Sequence, residues 1–138
     1  MGQNRRMRRA HKYHARPVDG YASTLERDRA RQLRLLQHAG EIHDLVEQPR
    51  VDLLPATWYR ADFAYVESDG TRIWEEAKGV ETARFRLLTR LWRFFGPGPL
   101  RIVKRGRGGF VVAREIVPRP LCCENCGVTV APSDAGRQ

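Results

Sequence analysis

The chain has 138 residues, with 25 Lys or Arg against 16 Asp or Glu, a formal charge of +9. That length suits one ordinary domain, leaves no room for two, and can bury a core without help from a disulfide or a metal. A hydrophobic share of 41% argues against disorder of the whole chain, and the cationic excess, mostly Arg, selects polyanions and above all nucleic acid as partner.

Residues 1–17 read as a flexible basic arm. Arg5, Arg6, Arg8, Arg9, Lys12 and Arg16 stand there without an acid, a composition that contacts DNA phosphates or merely solubilises. The main domain follows over residues 18–117. Leu25, Leu33 and Leu36 recur near helical spacing from Ser23 to Ala39; Ser23 suits an N-cap and Gly40 a stop. Ile42 to Leu54 reads as extended chain ending at Pro55. Trp58 to Val66 alternates, placing Tyr59, Ala61, Phe63 and Tyr65 on one face and Arg60, Asp62, Ala64 and Val66 on the other. Ser68-Asp69-Gly70 marks a turn, and Arg72 to Lys78 a second strand of an antiparallel hairpin. Thr82 to Phe95 is an amphipathic helix with Phe85, Leu88, Leu91, Trp92 and Phe95 as its buried stripe, ended by Gly96-Pro97-Gly98-Pro99. Leu100 to Lys104 and Phe110 to Glu115 are short strands around a basic glycine loop, Arg105 to Gly109. The expected class is α/β (α+β), in the order helix, three strands, helix, two strands, with a mixed central sheet flanked by helices.

Asp62, Glu76 and Lys78 carry the chemistry. Glu76 and Lys78 lie two apart on one strand and share a face. If Ser68-Asp69-Gly70 is a three-residue loop with Gly70 left-handed, Glu67 pairs with Thr71 and Asp62 falls opposite Glu76. Opposed side chains are then about 5 Å apart at Cβ, close enough to share a cation. A two-residue turn would slip the register and put the two acids on opposite faces. Two carboxylates suit Mg²⁺ or Mn²⁺, with Lys78 orienting a water and touching a phosphate. An exposed strand face bearing a cross-strand acid pair is the plain alternative. Glu26 is a further candidate, although Ser23-x-x-Glu26 also fits a capping box.

Lys12-Tyr13, Ser23 to Glu26, Leu36 to Ile42, Asp44-Leu45, Gln48-Pro49, Ala61-Asp62-Phe63 and Glu75 to Gly79 occur in an order and spacing that resemble a family of uncharacterised phage and prophage proteins. That family is placed in the PD-(D/E)XK nuclease superfamily, near phage endonuclease I, the Holliday-junction resolvases and the transposase-end nucleases. The resemblance spans roughly residues 12 to 103. It implies a restriction-endonuclease-like core and a homodimer that cuts DNA, often branched DNA, with Mg²⁺. It also implies a catalytic set of Glu26, Asp62, Glu76 and Lys78, in which Glu26, Asp62 and Glu76 hold the metal. Gln48 falls at a matching position and is an additional candidate; Glu75 should face away from the site.

The tail, residues 118–138, lies outside that resemblance and reads as loosely ordered. Cys122, Cys123 and Cys126 look like half of a zinc ribbon, with a His or a second tail needed to complete four ligands. A structural zinc there competes with free thiols in a reducing cytoplasm, the location expected of a chain whose sequence shows neither a secretory leader nor a membrane-spanning helix. DNA contacts are expected from the arm, from Arg84, Arg86 and Arg90 on the second helix, and from Lys104, Arg105 and Arg107 in the glycine loop. The alternative functions are a non-catalytic nucleic-acid binder and a zinc-ribbon adaptor.

Overall fold

A computed structural model describes residues 19–119, 121–122 and 129–130. The arm residues Arg5, Arg6, Arg8, Arg9, Lys12 and Arg16, and the thiols Cys123 and Cys126, lie outside the described residues. The elements are α1 (Thr24–His38), β1 (Ile42–Glu47), β2 (Arg50–Leu54), β3 (Thr57–Arg60), β4 (Phe63–Glu67), β5 (Arg72–Ala77), α2 (Ala83–Phe95), β6 (Leu100–Gly106), β7 (Gly109–Ile116), β8 (Leu121–Cys122) and β9 (Thr129–Val130). The class is α+β. A mixed five-stranded sheet runs β1-β4-β5-β6-β7, and only β5 and β6 are parallel. Helix α2 makes the crossover that a parallel pair requires. Among the described residues no helix is long and apolar enough to cross a membrane.

Both helices begin where short polar side chains cap them. Ser23 Oγ accepts from Glu26 N at 3.2 Å and Thr82 Oγ1 accepts from Phe85 N at 3.2 Å, each satisfying an amide that the helix cannot. Alternation along the strands sorts the core into two layers. One holds Ala30 and Leu33 of α1 over Phe63, Tyr65, Ile73, Ala77 and Val103. The other holds Phe85 and Trp92 of α2 over Val51, Tyr59, Leu100, Ile102 and Ile116. The α2 stripe falls as its spacing predicts, with Thr89 buried in addition, and Leu88, Leu91 and Phe95 packed at the margin. Trp92 Nε1 donates to Gly98 O at 2.8 Å, and a Cβ on Gly98 would come within 2.6 Å of the Trp74 ring, so the turn after α2 needs glycine there.

Five strands, not three, separate the helices. Ile42 to Leu54 is broken at Gln48-Pro49, where Gln48 adopts φ 53°, into β1 and β2. Trp58 to Val66 is broken opposite it, at Ala61-Asp62, into β3 and β4. Gln48 N donates to Asp62 O (2.8 Å) and Ala61 N to Pro49 O (3.1 Å), so the two breaks form one kink across a long hairpin. Beyond the kink, among the described residues, β2 and β3 pair only with each other. Tyr59 and Ala61 therefore join the α2 layer, while Phe63 and Tyr65 join the α1 layer. The single face expected for these four residues does not form. The glycine loop is also shorter than expected, because Arg105 and Gly106 belong to β6 and Gly109 to β7. In the tail, β8 pairs antiparallel with β9. Bulges interrupt the ladders of both outer strands, β1 near Asp44 (φ 50°) and β7 near Ala113.

A buried ion pair fastens α1 to the sheet. Arg29 Nε and Nη2 donate to Glu75 Oε1 and Oε2 at 2.5 and 2.7 Å, and Tyr65 OH donates to Glu75 Oε2 at 2.8 Å. Burial alone would favour neutral Arg29, but the Glu75 carboxylate outweighs it and holds the guanidinium above its ordinary pKa. Burial, and then the Glu75 charge, likewise raise Tyr65. Arg29→Ala should destabilise the protein by roughly 3–5 kcal/mol in urea unfolding at neutral pH, since Glu75 would remain buried and unpaired. Arg29→Met with Glu75→Gln should recover much of that loss.

Candidate active site

The β4–β5 hairpin sets the site. Phe63 pairs with Glu75, Ala64 with Trp74, Tyr65 with Ile73 and Val66 with Arg72. Glu67 N donates to Thr71 O at 2.9 Å, and Gly70, at φ 87°, closes the three-residue loop. One more step along this register sets Asp62 opposite Glu76. Beyond the last paired residues, Asp62 N donates to Glu75 O at 3.1 Å and Asp62 Oδ2 accepts from Ala77 N at 2.8 Å.

Glu75 and Glu76, being adjacent, leave opposite faces of β5. Glu75 enters the α1 layer, as expected of the acid turned away from the site. Glu76 is almost completely buried on the other side. Its Oε2 accepts from Tyr59 OH, and its Oε1 from Lys78 Nζ at 2.9 Å. Lys78 Nζ also lies 4.8 Å from the centre of the Phe85 ring, whose face favours a cation. Lys78 thus stays on the Glu76 face, held at both the carboxylate and the ring.

Glu26 comes from the first turn of α1. It is buried, its Oε2 accepts from Ala22 N at 3.0 Å, and its Oε1 receives Gln48 Nε2 at 3.4 Å. One oxygen therefore serves the helix start while the other faces Gln48, whose backbone N–H donates to Asp62 O. Capping and a place beside Asp62 coexist, so the two readings of Glu26 are not exclusive. The kink explains this. It turns Gln48 toward α1 and swings Tyr59 under Glu76.

Electrostatics identify Asp62 as the sensitive member. Burial, and then the charges of Glu76 and Glu26, push its carboxyl up to about 8; the Ala77 N–H and Lys78 oppose the shift without cancelling it. Burial, and then Glu76, raise the Tyr59 hydroxyl far above its usual range, so it stays a donor. Three carboxyls, with Lys78 in direct contact with Glu76, make an oxygen-rich cluster. Among the described residues, no group of three or more His, Cys, Asp or Glu is disposed to hold a metal ion as it stands. A hard divalent cation placed there would find Asp62 and Glu76 as its direct carboxylates, with Glu26 reaching it only through water.

Tyr59 is the residue that sequence reasoning missed. Read as one strand, Trp58 to Val66 put it on the face opposite Asp62, and the alternation of that segment carries no sign of the break. Of the expected DNA contacts, Arg84, Arg86, Arg90 and Arg107 are exposed and Lys104 is half-buried. Arg105 is bound to Asp28 at 2.5 Å, which anchors β6 to α1. Cys122 lies in β8.

Asp62 has a consequence for stability in EDTA. Its pKa in the folded protein lies above the ordinary 3.8, so the native state holds the proton more tightly than the unfolded chain. Its contribution is most favourable below pH 4, declines as pH rises, and is lost above about 8. Asp62→Asn should remove that slope and raise the melting temperature at pH 8, by about 4–8 °C per kcal/mol relieved, with little change at pH 4. Melts of the two proteins across this range read the difference.

Comparison of the chain with protein-family models, with curated proteins and with solved structures returns no significant match.

Proposed function

We propose that the chain is a divalent-metal-dependent endonuclease of the PD-(D/E)XK type that hydrolyses phosphodiesters in DNA, acting on branched DNA as a homodimer. The observation that carries this reading is the convergence of Asp62, Glu76 and Lys78 at one end of the β4–β5 hairpin, with Glu26 brought in by α1. Buried carboxylates that repel one another cost stability, and a site that keeps them is commonly one that uses them.

Asp62 and Glu76 would hold Mg²⁺ or Mn²⁺. When bound, the ion supplies neutralisation of phosphate charge and a more acidic water. Tyr59 fixes the rotamer of Glu76 through its donated hydrogen bond. Gln48 fixes Glu26. Lys78, resting on Glu76 and the Phe85 ring, presents an ammonium that orients a water and offsets charge on a phosphate oxygen. The exposed guanidiniums of Arg84, Arg86 and Arg90 bind backbone phosphates without reading bases, so association weakens with salt. This reading places the chain with the Holliday-junction resolvases in reaction type.

A second reading rests on one observation. Both oxygens of Glu76 already have protein partners, Tyr59 and Lys78, an arrangement that also suits a nucleic-acid binder that cuts nothing. Cleavage assays on four-way-junction, linear and supercoiled DNA separate the two. With Mg²⁺, Glu76→Gln and Lys78→Ala should each lower the cutting rate at least a hundredfold, while junction binding in EDTA stays within about twofold of the parent. A Lys78→Ala protein that cuts at the parental rate removes the role given to Lys78. A parent that binds under every condition and cuts no substrate establishes the second reading.

A further inference from the structure

The β2–β3 ribbon carries features that folding does not require. Val51, Leu53 and Tyr59 point into the α2 layer, so Arg50, Asp52, Leu54, Trp58 and Arg60 share the outer face. Nothing described covers that face: Trp58 keeps 46% of its surface exposed, and the Arg50 and Asp52 side chains keep 61% and 59%. Arg50 and Arg60 are direct cross-strand partners. Like charges in that position oppose pairing. Arg50 reaches Asp52 at 3.0 Å, an exposed pair that competes weakly, and its guanidinium lies 5.0 Å from the centre of the Trp58 ring. Among the described residues Arg60 has no carboxylate partner. Two guanidiniums beside an exposed indole are complementary to a polymer that alternates phosphates with aromatic rings.

Position adds to the chemistry. The ribbon joins the sheet at the kink, where Gln48 and Ala61 bond across to Asp62 and Pro49. Arg60 is two residues from Asp62. A strand gripped by the ribbon is thereby held at a fixed offset from the carboxylates.

We infer that the outer face of β2–β3 binds an unpaired stretch of DNA, with a base stacked on Trp58 and the flanking phosphates between Arg50 and Arg60. This builds on the nuclease reading and gives it a source of preference for branched DNA, since stacking can be interrupted where the arms of a junction meet and is continuous in an intact duplex. Duplex binding then falls to the other Arg residues, and the ribbon adds affinity only where the strand opens.

The test uses the full chain in EDTA, with oligo(dT), a synthetic four-way junction and a blunt linear duplex as probes. Oligo(dT) should quench the exposed indole of the parent protein. Trp58→Ala should lose that quenching and bind oligo(dT) about tenfold more weakly, with duplex affinity unchanged. Trp58→Phe should keep most of the affinity. Arg60→Ala should weaken oligo(dT) binding and reduce its salt slope by about one counterion. The proposal is overturned if oligo(dT) leaves parental fluorescence unchanged, a result that needs no variant to fold. It is also overturned if Trp58→Ala weakens duplex and oligo(dT) equally, or if oligo(rU) binds more tightly than oligo(dT). No turnover enters these readings. A parent that binds DNA and cuts no substrate would sink the nuclease assignment and leave the ribbon standing, while unaltered oligo(dT) binding by Trp58→Ala and Arg60→Ala would sink the ribbon alone.

Discussion

One residue of register in the β4–β5 hairpin separates a carboxylate cluster from two unrelated acids. Side chains alternate along a strand, so a slip by one would send Asp62 and Glu76 to opposite faces. The loop at Ser68-Asp69-Gly70 prevents the slip. Gly70 takes a positive φ that costs it nothing, and Asp69 Oδ1 accepts from Thr71 N at 2.8 Å to brace the turn. The apolar pattern reinforces the same pairing, since Phe63, Tyr65 and Ile73 must all reach the α1 layer. Turn chemistry and burial thus agree, which is the condition for a register with few competitors.

The neighbouring acids of β5 show how one strand divides its labour. Glu75 meets Arg29 and Tyr65, and its charge is matched within the α1 layer. Glu76, one residue on, meets a tyrosine and a lysine, with Asp62 opposite it and Glu26 beyond. The first arrangement holds the fold together and leaves nothing for a ligand to supply. The second gathers three largely buried carboxyls with one lysine against them, an arrangement that costs stability.

Much of this was legible in the chain. Ser23 and Gly40 mark the ends of α1 by their chemistry, the Phe85 and Trp92 stripe marks the inner face of α2, and Gly70 marks the register that brings Asp62 to Glu76. What was not legible was the kink. Alternation from Trp58 to Val66 continues unbroken through Ala61-Asp62, although the two segments send their larger side chains into different layers. Gln48 supplies the break through a left-handed backbone conformation that its identity does not advertise. Tyr59 beneath Glu76, and Gln48 beside Glu26, follow from that kink and could not be inferred without it. The partner of Glu75 was hidden for another reason: Arg29 is one of several arginines on α1, and only the crossing of helix and sheet selects it.

The two outer strands have a consequence for the behaviour of the protein in concentrated solution. A sheet that stops in open water leaves unpaired amides able to recruit further chains, and Val111 and Val112, about half exposed on β7, would favour such growth. The bulges near Ala113 on β7 and Asp44 on β1 break the regular spacing that an incoming strand would have to match. Irregularity at the margins thus guards against fibrous self-assembly, at the expense of a few ladder hydrogen bonds.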